Sequence, residues 1–158
     1  MMAQKQTASE LGVESPVSGN ATPGASAALR SRIMRSVPRE RTTPEEAVAG
    51  ALRLLGVRFR RNVRSLPGSP DLANKTRRFA IYVHGCFWHR HTGCARATTP
   101  KANALFWVTK FAANVARDAR KERALRTLGY DVDIIWECQT KDPEELARIV
   151  SRIFPSNR

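Results

Sequence analysis

Cys86, His91 and Cys94 fall within the run Val83-His-Gly-Cys-Phe-Trp-His-Arg-His-Thr-Gly-Cys94, and Cys138 stands far downstream in Trp136-Glu-Cys138. These are all the cysteines of the chain. Three thiolates and one imidazole complete a tetrahedral zinc shell, and a shell so closed is structural rather than catalytic. The spacing Cys86-x4-His91-x2-Cys94 packs three ligands into one loop, which Cys138 would staple to a distant segment. Three unrelated buried thiols beside a polar histidine are the competing reading. The loop is polar, glycine-bearing and aperiodic, which does not suit a core that buries thiols.

Zinc has no need of the residues between those ligands. His84 and His89 bracket Cys86, so all three histidines lie within eight residues, and imidazole is the side chain suited to proton transfer near neutral pH. Phe87 and Trp88 are adjacent aromatics on the same loop. They read either as exposed parts of a reactive site or as a plug for the core beneath it. Upstream, Pro70-Asp71 closes Leu66-Pro-Gly-Ser-Pro-Asp71 shortly before an apolar run. An aspartate so placed can bind the divalent ion that polarises a phosphate and activates water, and magnesium, with its preference for oxygen ligands and retained waters, suits that task. Pro-Asp alone is equally a turn.

The elements that must position these groups are legible from periodicity. Thr43-Pro44-Glu45-Glu46 opens a helix, with Thr43 as N-cap, Pro44 at N1 and Glu46 completing a capping box. Val48, Ala51, Leu52 and Leu55 form its apolar stripe, and Gly56 ends it. Val57 to Val63 reads as a strand, and Arg78 to Val83 as a central strand that feeds the cysteine loop. Asn103 to Leu128 carries Phe106, Val108, Phe111, Val115, Leu125 and Leu128 at helical spacing and stops at Gly129. Tyr130 to Trp136 alternates as a strand with Val132, Ile134 and Trp136 on one face. Asp142-Pro-Glu-Glu starts a final helix with Leu146, Ile149, Val150 and Ile153 inward. Helix, strand, strand, helix, strand, helix suits an α/β fold with a mixed sheet flanked by helices.

The chain has 158 residues, enough for one domain with a normal core. It holds 27 Lys and Arg against 14 Asp and Glu, a formal charge of +13. Residues 1–28 contribute one lysine and two glutamates, so the basic excess belongs to the rest. A surplus dominated by arginine points to a polyanion, with nucleic acid first. Residues 1–28, rich in Ala, Ser, Gly, Pro and Thr, are expected to be a disordered tail. Arg30-Ser-Arg-Ile-Met-Arg35 through Arg41 reads as a basic arm or short helix lying on phosphates. The expected organisation is therefore a tail over 1–28 and one domain over 29–158, with 29–42 as the arm. No apolar run reaches a membrane span, no signal sequence is expected, and three cysteines at metal-like spacing fit a reducing compartment.

Five segments occur in this order: Leu66-Pro-Gly-Ser-Pro-Asp71, Val83-His-Gly-Cys-Phe-Trp-His-Arg-His, Phe106-Trp107, Asn114-x3-Asp118 and Ile135-Trp-Glu-Cys138. Together they closely resemble the very-short-patch-repair (Vsr) DNA mismatch endonucleases, over roughly Arg30 to Cys138. The resemblance implies a zinc-stabilised, restriction-endonuclease-like fold. It implies a magnesium-dependent enzyme that nicks one DNA strand 5′ to the thymine of a T·G mismatch, the lesion left by deamination of 5-methylcytosine. Asp71 becomes the magnesium aspartate, aided by the backbone carbonyl of Val83, which stands where related nucleases often place an acid. His89 becomes the group that activates water, His84 a phosphate or leaving-group contact, and Asp118 a candidate to orient His89. Glu45 would reach the metals through water, although Glu46 beside it leaves that assignment open. Cys86, His91, Cys94 and Cys138 become the zinc ligands, with an His91-to-Cys94 spacing that varies by a residue within the family. Phe87, Trp88 and Trp107 correspond to an aromatic wedge, and Arg30, Arg32, Met34 and Arg35 to an N-terminal DNA-binding arm.

A weakly stacked T·G wobble costs less to unstack than a paired step, so deformability can add to selectivity. The acid-x-Lys pair of related nucleases is absent after Asp71. The resemblance further implies double-stranded DNA as partner, a mismatch-repair ATPase and a cognate cytosine methyltransferase system as associates, no membrane, a monomer, and a bacterial cytoplasmic location at the nucleoid. A non-catalytic zinc-stabilised DNA-binding module would keep the charge, wedge and zinc without needing Asp71 and His89. A zinc nucleobase deaminase needs His-x-Glu with Pro-Cys-x-x-Cys, and the chain has neither.

Overall fold

The computed structural model describes residues 41–155. The expected tail and most of the basic arm, including Arg30, Arg32, Met34 and Arg35, lie outside the described residues. The rest forms helix α1 (Thr43–Leu54), strands β1 (Arg60–Arg61), β2 (Leu72–Asn74) and β3 (Phe79–His84), the one-turn helix α2 (Cys86–His89), the long helix α3 (Ala104–Thr127), strand β4 (Asp131–Trp136), a 3-10 turn (Glu137–Thr140) and helix α4 (Pro143–Ile153). The sheet order is β1-β2-β3-β4. The first two pairings are antiparallel and β3–β4 is parallel, in register from Phe79 opposite Asp131 to His84 opposite Trp136. A parallel pair needs a crossover, and α3 supplies it. The expected mixed sheet between helices is present.

β3 is the central strand that its apolar run indicates, because both of its faces are covered. Phe79 and Ile81 join Leu72 and Ile135 under α1 and α4, against Val48, Leu52, Ile149 and Val150. Ala80 and Tyr82 join Ala73 on the opposite face with Leu125 of α3, where Val132 and Ile134 of β4 also pack. Strand parity then carries His84, two residues past Tyr82, to the α3 side.

Several expectations are corrected. The helix α1 begins one residue early: Thr42, extended at φ −65 and ψ 158, is the N-cap in place of Thr43. The carboxylate that folds back is Glu45, which accepts from Thr42 Oγ1 and from the Arg41 amide, each at 2.8 Å. Glu46 pairs bidentately with Arg61 at 2.7 and 2.8 Å instead. The expected strand over 57–63 shrinks to β1. Asn62 takes a positive φ of 45, and Pro70, opposite Val63, accepts from it but has no N–H to return. The cysteine loop was read as irregular, yet Cys86–His89 makes a helical turn, ended by Arg90 at φ 57.

Helix α3 is rotated from its expected phase. Phe106, Val108, Val115 and Leu128 are exposed, whereas Trp107, Phe111, Asn114, Asp118 and Leu125 face inward. At spacings of 4, 3, 4 and 7 these five share one helical face. Two of them are polar, and they lie beside the histidines.

Candidate active site

The site gathers where β3 ends and α2 begins. Asp71 directly precedes β2, and the Val83 N–H donates to its Oδ2 at 2.8 Å. In an extended strand the N–H and C=O of a residue project to the same edge, so the Val83 carbonyl faces the Asp71 side as well. Burial pushes the Asp71 carboxyl up to about 6. The Val83 amide opposes that rise and the nearby Glu45 charge adds to it. Glu45 itself is buried. This geometry places Glu45, not Glu46, beside the aspartate, and the same carboxylate also serves the helix cap.

His84 and His89 stack, with ring centroids 4.0 Å apart and planes 12° from parallel. His89 Nδ1 meets Asp118 Oδ2 at 2.5 Å, and the ligand atoms of His84, His89 and Asp118 all lie within 4.8 Å of one another. Burial, with His89 next to it, drives His84 down to about 3, so His84 is neutral at physiological pH. Burial works against ionisation of Asp118, but the hydrogen bond and charge of His89, with Lys121 adding to them, hold it below the usual carboxylate range. One nitrogen of His89 is thus engaged by a carboxylate. Asn114, one turn before Asp118, donates through Nδ2 to the Trp88 carbonyl at 3.0 Å and so ties α2 to α3.

The four expected zinc ligands also converge. The ligand atoms of Cys86, His91, Cys94 and Cys138 lie within 4.8 Å of one another. His91 Nδ1 is 3.3 Å from Cys138 Sγ and 3.7 Å from Cys86 Sγ. A tetrahedral ion with bonds of about 2.3 Å to sulfur and 2.0 Å to nitrogen separates such atoms by about 3.5 Å, so the donor set and its spacing fit a metal. Arg96 and Glu137, paired at 2.8 Å, close the loop onto the 3-10 turn that carries Cys138. Trp136 is the wall between the two clusters. Its ring stacks on His91 at 4.3 Å and meets His84 edge-on at 5.5 Å.

The aromatics depart from expectation. Phe87 and Trp88 are half-buried, not exposed, and Trp107 is buried. Phe87 makes edge contacts with Trp88, Trp107 and Phe111 at 5.0, 5.6 and 5.1 Å. They form one aromatic cluster between α2 and α3, so the plug reading describes their packing. Phe106 and Val108, whose helical spacing suits a core, stand exposed beside the cluster instead. Asn114 enters the sequence only through the Asn114-x3-Asp118 motif and Tyr82 only through its strand, neither with a role of its own. The available signal for Asn114 was its place on the helical face of Trp107, Phe111 and Asp118.

A buried carboxylate within electrostatic reach of a carboxylate-bound imidazole is the outline of a hydrolytic site, and comparison with known proteins agrees. Residues 25–96 match the family model "DNA mismatch endonuclease Vsr". The chain belongs to the Vsr DNA mismatch endonuclease family. Among its relatives, it is 42% identical to the Type II nicking enzyme V.XorIIP of Xanthomonas oryzae pv. oryzae, over 80% of this chain and 93% of that one. It is 40% identical to the DNA mismatch endonuclease Vsr of Escherichia coli, over 75% of this chain and 76% of that one. It is 34% identical to the Type II nicking enzyme V.NmeAIP of Neisseria meningitidis, over 78% and 91%. These relatives support a nuclease that acts on DNA. Among the described residues, no helix is long and apolar enough to cross a membrane.

Proposed function

We propose that this protein nicks one strand of double-stranded DNA 5′ to the thymine of a T·G mismatch, by magnesium-dependent phosphodiester hydrolysis, with zinc held structurally by Cys86, His91, Cys94 and Cys138. The observation that carries the reading is the meeting of Asp71, held on the Val83 amide, with the His84–His89–Asp118 cluster at one strand end. A DNA-binding module would not need to bury those groups together. Bound magnesium would polarise the scissile phosphate and acidify water, and Asp71, the Val83 carbonyl and, through water, Glu45 are the oxygen donors to hold it. Asp71 has one carboxylate oxygen on the Val83 amide, so the other is the oxygen to offer an ion.

His89 takes the proton from the attacking water through the nitrogen that Asp118 leaves free, and Asp118 fixes the tautomer and steadies the imidazolium. His84, neutral and stacked on His89, adds no competing charge and can donate to a phosphate oxygen. The half-buried Phe87 and Trp88, backed by the buried Trp107, would press into the duplex at the wobble, where unstacking is cheapest. The basic arm with Arg30, Arg32, Met34 and Arg35 would grip the phosphates. A cognate cytosine methyltransferase would set the sequence context, and a mismatch-repair ATPase could cooperate with the enzyme in a bacterial cytoplasm.

The test is nicking of matched oligonucleotide duplexes that differ only in T·G against T·A, with magnesium or with excess chelator. The expected product is one cut on the thymine strand, seen with T·G and magnesium alone. Equal cutting of both duplexes, or cutting that survives chelation of magnesium, would overturn the reading.

A further inference from the structure

Lys121 reaches the same site from α3, and the fold has built a place for it. Gly68, at φ +73, lies so close to this lysine that a Cβ there would stand 2.5 Å from Lys121 Cγ and 2.7 Å from Lys121 Cβ. The stem therefore rests directly on the backbone of the loop that leads into Asp71. Its ammonium sits 5.9 Å from the centre of the Tyr82 ring. The Tyr82 hydroxyl donates to the Pro67 carbonyl at 3.0 Å, which pins the same loop. On its remaining side, Lys121 Nζ is 3.9 Å from Asp118 Oδ1. That oxygen is buried and has no hydrogen-bond partner among the described residues.

At 3.9 Å the two groups attract each other without a hydrogen bond. The ammonium is thus held near Asp118 but its N–H donors are not committed to it, and the side chain keeps 31% of its surface exposed. Its charge bears on Asp71, His84 and Asp118 alike. A lysine placed only for solubility would not have its stem clamped between a loop and a tyrosine with its ammonium beside Asp118.

We propose that Lys121 is a further catalytic residue, whose ammonium contacts a non-bridging oxygen of the scissile phosphate. The proposal rests on the hydrolytic reading above. In that reaction the water oxygen bonds to phosphorus and the bond from phosphorus to the 3′ oxygen breaks. The water gives a proton to His89, and the leaving oxygen gains one from solvent. The phosphoryl oxygens carry the negative charge throughout, and a cation fixed beside them before reaction stabilises that charge without reorganisation. The clamp on the stem also removes much of the rotamer entropy a free lysine would lose on contact. Helix α3 thereby supplies a cation to a site that has no acid-x-Lys pair after Asp71.

The experiment compares the full-length protein with Lys121→Met and Lys121→Arg in single-turnover nicking of a T·G duplex at saturating enzyme. The same duplexes are used with sulfur replacing either non-bridging oxygen of the scissile phosphate. Lys121→Met should nick on the order of 10²-fold more slowly, with duplex Kd, melting temperature and bound metal close to the parent's, and Lys121→Arg should recover part of the rate. One sulfur diastereomer should slow the parent strongly and Lys121→Met far less. Nicking by Lys121→Met within twofold of the parent would overturn the proposal. So would a slow Lys121→Met that keeps the parent's full sulfur effect, because the lysine would then act only through Asp118. A parent that leaves T·G duplexes intact would overturn the hydrolytic reading and this proposal with it, an outcome distinct from loss of the Lys121 effect alone.

Discussion

Asp71 shows at the scale of one residue what the site costs. Its carboxyl is pushed up to about 6 by burial, with Glu45 adding to the rise and the Val83 amide only partly offsetting it. The folded protein therefore holds this proton over a range in which the unfolded chain, releasing it near 3.8, does not. Between those values the folded state binds more protons, so stability falls as pH rises through the interval. Above pH 6 the full penalty applies, at most roughly 3 kcal/mol. Asp71→Asn keeps an acceptor for the Val83 amide and removes the charge. Without added magnesium, it should be more stable than the parent by roughly 1–3 kcal/mol at pH 7.5. The gain should shrink toward pH 4, as measured by denaturant melts across that range. Nicking should be lost in the same variant while zinc content stays unchanged. A variant less stable than the parent at pH 7.5 would show that the carboxylate is not strained by its setting.

At the scale of elements, α3 combines two tasks that pull its sequence in different directions. One end of its inner face packs Leu125 against the sheet. Further toward its start the same face presents Asn114 and Asp118, buried polar groups in the phase of Trp107 and Phe111. Buried polar groups are tolerated when hydrogen-bonded. Asn114 meets this through Trp88, and Asp118 through His89 for one oxygen only. Asn114 is then a strut that sets the distance between α2, with its histidine and aromatics, and α3, with its aspartate. Asn114→Ala leaves the Trp88 carbonyl without its partner and should cost about 1–2 kcal/mol. It should also loosen α2, seen as a change in tryptophan fluorescence and a fall in turnover larger than the fall in DNA affinity. Unchanged turnover with the full stability loss would confine Asn114 to a packing role.

Across the whole molecule the Cys3His cluster ties the loop after β3 to the turn after β4, two segments that also meet through the parallel strand pair, the Arg96–Glu137 contact and the His91–Trp136 stack. The wall of that cluster, Trp136, is also a wall of the histidine site, so a metal there would steady the His84 and His89 imidazoles through one shared ring. In the metal-free chain, burial pushes the Cys86 thiol up to about 12, and metal binding must therefore expel its proton. Cys138→Ser removes the ligand farthest away in sequence. It should reduce bound zinc below one per chain and lower Tm by on the order of 10 °C, as read by metal analysis and thermal melts. Full zinc occupancy in that variant would remove Cys138 from the ligand set.

The sequence by itself determined the parts whose signals are local. Helix α4 follows from Asp142-Pro-Glu-Glu and its inward stripe, and β3 from an apolar run of β-prone residues. The candidate metal set follows from three cysteines and a histidine at ligand-like spacing, and family membership from motifs whose order survives without any structure. Tertiary structure alone decided the phase of α3. Its exposed Phe106 and Val108 are as apolar as its buried Phe111, so periodicity could not say which stripe met the sheet. It also decided between Glu45 and Glu46, because a one-residue shift of the N-cap exchanges the carboxylate that folds back. The short strand β2 was invisible because its three residues gain their identity from pairing with β3, not from any pattern of their own. Lys121 became a candidate only when the chain brought Gly68, Tyr82 and Asp118 around it. A charge on a helix reads as a solvated face until long-range contacts with Gly68 and Tyr82, 53 and 39 residues earlier in the chain, fix the place of its stem.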